Sequence, residues 1–116
     1  VKMALSVIMD KPPDLIVSGI NRGSNAGRNV LYSGTVGGVI EGVLRNIPGI
    51  AFSCYRYNSP DYQVTEKFIP TIVDYVLDHK PPQGTLLNVN FPDEEIKGFK
   101  FTRQGKEFWG EAPDER

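Results

Sequence analysis

The sequence predicts an α/β fold: a three-layer arrangement with a mostly parallel sheet and helices on both faces. Three observations predict it. Short apolar runs at Leu15-Ile16-Val17, Ile50-Ala51-Phe52 and Leu86-Leu87 are bounded by turn residues, as strands buried on both faces are. Stretches with apolar residues at helical spacing lie between them. Strands alternating with helices at this spacing connect by right-handed crossovers into a parallel sheet. With 116 residues, the chain makes at most one domain and can bury one core.

The elements follow in order. Val1, Ala4, Leu5, Ile8 and Met9 keep the i, i+3, i+4 rhythm of a helix over residues 1–9, with no capping residue ahead of them. The chain therefore reads as part of a larger domain, cut inside a helix. Pro12-Pro13 leads into the first strand, residues 15–17. A polar loop runs from Gly19 to about Tyr32. A helix starts at Ser33-Gly34-Thr35 and carries Val36, Val39, Ile40, Val43 and Leu44 on one face. Gly37, Gly38 and Gly42 each cost it about 1 kcal/mol relative to Ala. That cost is tolerated where another group must approach closely. Pro48-Gly49 ends the segment, and residues 50–53 form a strand. After a loop from Tyr55 to Asp61, a third helix is expected over 62–78, where Pro70 kinks it or shifts its start. Pro81-Pro82-Gln83-Gly84 is a turn before a strand over 86–91. Phe99 and Phe101 flank Lys100 and predict a weaker strand over 99–102.

Composition excludes several function classes. Net charge is −1, so no basic excess speaks for a nucleic-acid polymer or a membrane surface. No apolar run is long enough to cross a bilayer and no leader pattern stands at the start. The single cysteine, Cys54, precludes an internal disulfide framework and fits a reducing, cytoplasmic compartment. One Cys and one His, His79, cannot form a Cys/His zinc cluster. His79 reads as a partner for the C-terminal end of a helix, and Tyr55, Tyr57 and Trp109 as surface or interface aromatics.

The polar loop is the most informative segment. No Asp or Glu occurs between Asp14 and Glu41. A strand, a polar loop and a helix start without carboxylates favour a bound anion, most often a phosphate. Ser33 and Thr35 are ordinary helix caps in the first instance. Gly34 between them, Arg22 and Arg28 in the loop, and the missing acids add the anion reading. Asn21 and Asn25 suit local turns. Asn21 also stands just beyond a strand end, where its amide can ligate a hard cation or donate to a phosphate. Gly19, Gly23 and Gly27 recur every four residues and match neither the dinucleotide fingerprint nor a Walker loop. Asp14 opens the strand about 16 Å from Asn21, too far to share a metal with it.

Pro13-Asp14-Leu15-Ile16-Val17-Ser18-Gly19-Ile20-Asn21-Arg22-Gly23-Ser24-Asn25, Tyr32-Ser33-Gly34-Thr35, Leu87-Asn88-Val89-Asn90-Phe91-Pro92 and Thr102-Arg103-Gln104-Gly105, in this order, resemble the SurE family of nucleotidases. The resemblance runs over nearly the whole chain. It implies a Rossmann-like fold and a phosphatase that uses a divalent metal cation, Mg or Mn, on nucleoside monophosphates. It also implies activity on 3′-nucleotides, other phosphate esters and short polyphosphate in some members. The resemblance maps one metal ligand onto Asn21 and the phosphate pocket onto Asn25, Ser33, Gly34 and Thr35. The family's tandem aspartates and a ligating serine would precede Val1, which leaves the acidic catalytic residues outside this chain. The arms that build the family's homodimers and homotetramers would follow Arg116. The alternative is a module that binds phosphate or a nucleotide without chemistry.

Overall fold

In the computed structural model, which describes residues 1–106, three parallel strands lie in the order β1-β2-β3. They are Ile16–Arg22, Gly49–Cys54 and Leu87–Phe91. Every residue of β2 is buried, because it alone has a strand on each side and a helix over each face. The continuous apolar run Ile50-Ala51-Phe52 is the sequence form of that position.

Helix α1, Gly34–Val43, covers one face with Val36 and Val39 against Ala51. Helix α3, Ile69–Asp78, covers the other with Ile72 and Val76 against Ile50, Phe52 and Phe91. The expected three layers are present. Gly42 of α1 rides directly on the Ile16 side chain, so here the glycine cost purchases close approach.

Several expectations are corrected or refined. The first strand does not stop at Val17 but continues through Arg22, so Asn21 lies inside the strand end rather than beyond it. It is also not buried on both faces: Val17 is 48% exposed, and among the described residues β1 pairs only with β2. The N-terminal segment is helical as expected, but as a π-helix over Ala4–Ile8, with no fully buried residue and with only Ala4 and Leu5 of its apolar stripe half-buried. No strand forms over 99–102. Phe99 packs edge-on against Phe68, and Phe101 lies against Tyr75. Both rings stay largely exposed and touch the helical layer through these contacts, without pairing with the sheet.

The helix expected over 62–78 is two helices, α2 at Tyr62–Glu66 and α3. Pro70 sits in the first turn of α3, where its missing N–H is harmless. Asp61 caps α2 by accepting from Gln63 N. His79 closes α3, its ring stacked on Tyr75. Tyr55 and Tyr57 are exposed, Cys54 is buried, and Trp109 lies outside the described residues. No helix among the described residues is long and apolar enough to cross a membrane.

Candidate anion-binding site

A β-bulge in β1 sets the site. Ser18 pairs with Ala51 and Asn21 with Ser53, so three steps along β1 match two along β2. One extra residue reverses the alternation of faces. Before the bulge, Ile16 packs on the α1 side and Leu15 on the α3 side. After it, Ile20 packs on the α3 side and Asn21 meets Thr35 of α1. Regular alternation would have aimed Asn21 at the opposite face. Gly19 makes the bulge possible. Its φ is +114°, and a Cβ there would run into the carbonyl oxygen of Phe52.

Asn21 is held at both ends of its amide. Nδ2 donates to Gly23 O at 2.8 Å, and Oδ1 accepts from Thr35 Oγ1 at 3.3 Å. The amide oxygen is thereby turned toward the N-terminus of α1. Ser33 is the N-cap, its Oγ accepting from Val36 N at 3.2 Å. The cap uses a lone pair and leaves the hydroxyl proton to donate outward. The N–H groups of Gly34 and Thr35 have no intrahelical acceptor in the first turn of a helix. No acid occupies that turn. Nothing lies within 4 Å of where a Gly34 Cβ would be, so the helix end is open above it. Donors and the positive end of the helix dipole converge there, which suits a phosphate.

Asn25 is built differently from the open residues. It is 5% exposed, and its Nδ2 donates to Ser53 Oγ at 2.6 Å. Its N–H donates to Asn90 Oδ1 at 2.8 Å, and its carbonyl accepts from Asn88 Nδ2 at 2.7 Å and Asn90 Nδ2 at 3.1 Å. Leaving such a backbone group unpaired costs about 1–3 kcal/mol. Sequence reasoning missed Ser53, Asn88 and Asn90 as site residues. The signal was the strict alternation Leu87-Asn88-Val89-Asn90-Phe91: the apolar positions enter the α3-side core, and the amides face α1's side.

Arg22 is turned aside. Its Nε donates to the carbonyl of Tyr57, and its guanidinium lies 5.0 Å from the centre of the Tyr57 ring. It fastens the loop after β2 rather than facing the helix end. Arg28 sits in the 3-10 helix Gly27–Tyr32 that leads to Ser33. Glu41 pairs with Arg45, one helical turn on.

The donor chemistry fits a hard cation at one point only. Asn21 Oδ1 is a neutral oxygen, while such cations take about six oxygen ligands. Among the described residues no group of three or more His, Cys, Asp or Glu could hold a metal. Two clefts of about 270 and 380 Å³ lie under the opposite end of the sheet, around Pro48, Lys80, Pro81 and Pro82, away from Asn21 and Ser33.

With this geometry in place, similarity to known proteins becomes informative. Residues 1–111 match the family model described as Survival protein SurE. A protein of Protochlamydia amoebophila named 5′-nucleotidase SurE is 57% identical over the whole chain. One of the same name from Chlorobaculum tepidum is 46% identical. The chain spans 46% and 45% of their lengths, respectively. A crystal structure of SurE protein from Aquifex aeolicus superposes with a TM-score of 0.82 at 44% identity, over 90% of this chain and 43% of that one.

Proposed function

The chain belongs to the SurE family, and from that premise we propose that the protein containing it is a metal-dependent phosphomonoesterase of nucleoside monophosphates. The observation that carries the reading is the meeting of Asn21 with Thr35 at the open, acid-free end of α1. A ligand oxygen and an anion cradle stand side by side there.

Each residue has a defined task. Asn21 offers Oδ1 to the cation, and the Thr35 hydroxyl is released from it to donate to a phosphoryl oxygen. The Ser33 hydroxyl and the N–H groups of Gly34 and Thr35 donate to the remaining oxygens. Asn25 keeps a second amide hydrogen beyond the one it gives to Ser53, and we assign it to the same anion. These dipoles are fixed before substrate arrives, so they stabilise the charge that builds on the phosphoryl group without reorganising. A bound divalent cation, Mg or Mn, supplies Lewis-acid polarisation of the phosphate. Its other ligands are expected among acidic residues outside the matched stretch, which is less than half the length of the relatives. Leu31, Tyr32 and Leu44 are strongly exposed apolar side chains and support a homo-oligomer, dimer or tetramer. A cytoplasmic location accords with the lone buried thiol.

The test is phosphate release from nucleoside 5′-monophosphates by the full-length protein, with and without added divalent cation. Turnover that vanishes with a chelator supports the reading. Affinity for phosphate without turnover replaces it with a binding module. Gly34→Ala provides a sharper check. Nothing stands within 4 Å of the new methyl, so thermal stability should not fall. The methyl occupies the cradle, so kcat/KM should drop about tenfold to a hundredfold. Unchanged kinetics would remove Gly34 from the site.

A further inference from the structure

We propose that Asn88 and Asn90 of β3 are positioning residues for the phosphate cradle, acting through the backbone of Asn25. The proposal rests on the reading of Asn21 and Ser33–Thr35 given above.

The Asn90 amide spans both backbone groups of one residue. Its Oδ1 accepts from Asn25 N at 2.8 Å and its Nδ2 donates to Asn25 O at 3.1 Å. That is the pair of bonds a neighbouring strand would make. Asn88 Nδ2 doubles the hold on the same carbonyl at 2.7 Å, and Ser53 Oγ takes the side chain at 2.6 Å. The chain leaving β1 is thus received by side chains of β2 and β3. Sixty-five residues separate Asn25 from Asn90 in sequence.

The location gives the clamp its consequence. Asn25 stands between Asn21, at the end of β1, and the 3-10 helix that delivers Ser33. Gln104 adds a further tie, donating to Gly27 O at 2.9 Å. Fixing this stretch fixes the distance between the ligand oxygen and the anion donors. Strands ordinarily disfavour Asn. Two of them on one face of a five-residue strand are explained by the backbone they grip. The Asn90 amide accepts and donates at once through two separate atoms, which lets it take both backbone groups together. A carboxylate would keep the acceptor, lose the donor and set a negative charge against a carbonyl beside an anion site.

The test uses the intact protein with Asn88→Leu, which keeps the branch at Cγ, and Asn90→Asp, which keeps the native volume. Wild-type phosphate release decides the nucleotidase reading by itself. Given an active wild type, each variant should lose about 10- to 100-fold in kcat/KM, as expected for a cradle displaced by an ångström. In Asn88→Leu, which adds no charge, kcat should carry most of the loss. Hydrogen exchange should quicken over residues 23–33 but not over β2 or α3. The loss should persist on cooling, whereas a deficit of folded protein would recover. Variants within threefold of wild type, or loop exchange unchanged, would overturn the proposal. Should either variant fail to fold, Ser53→Ala removes only the side-chain anchor. It should loosen the same stretch, and an unchanged exchange pattern there would count equally against the clamp.

Discussion

Replacing Asn21 with alanine should lower metal-dependent phosphate release by at least about 100-fold. Outer-shell partners of metal ligands already cost about 10- to 100-fold when removed, and Asn21 is proposed as a ligand itself. The substitution also frees the Thr35 hydroxyl and strips Gly23 O of its donor. The two lost hydrogen bonds cost about 1 kcal/mol each, far from enough to unfold a domain. Activity and stability should therefore separate: a cooperative melting curve shifted by no more than several degrees beside a collapsed rate. Asn21→Asp should recover part of the metal dependence, because it restores an oxygen at the same place. Alanine with activity within a few-fold of wild type would exclude Asn21 from metal binding.

Much of this arrangement is legible in the sequence. The buried run of β2, the cap at Ser33, the acid-free approach and the helix start at Pro70 all have local physical signatures. The extent of β1 had none. Gly19-Ile20-Asn21 looks like the start of a loop because a glycine breaks the apolar run, yet the hydrogen bonds to β2 continue past it. A bulge is written in the pairing between two strands, not in either strand alone. The tie of Asn25 to Asn88 and Asn90 was hidden for the same reason, since it joins segments far apart in the chain. Phe99 and Phe101 misled in the other direction. Their alternation mimics a strand, but what they satisfy is contact with Phe68 and Tyr75.

The second large effect is expected at Gly19. Alanine there meets two obstacles: a φ of +114° that L-residues rarely adopt, and the Phe52 carbonyl in the path of its Cβ. Strained backbone costs about 1–3 kcal/mol, and overpacking adds about 1–3 kcal/mol. Together they take a large share of the 5–15 kcal/mol that holds a typical domain. Thermal denaturation of Gly19→Ala should show a fall of roughly 10 °C or more. Because the strain sits two residues before Asn21, residual folded protein should also lose activity per molecule. A melting temperature within a degree or two of wild type would mean that the strand relaxes freely at this point.

The bulge has a consequence for how such a sequence can drift. Substitutions in β1 alter what each side chain is, but they leave the count intact. What the count fixes is the pairing: three steps of β1 from Ser18 to Asn21 span two of β2. A strand of the same length without the bulge would carry Asn21 to the α3 side, and one further inserted residue would disturb the balance again. Removing one residue together with the bulge would restore plain alternation and leave the amide on the α1 side. Length and bulge can therefore change only together in this segment: the extra residue and the kink that absorbs it are gained or lost as a pair if the amide oxygen is to keep its place.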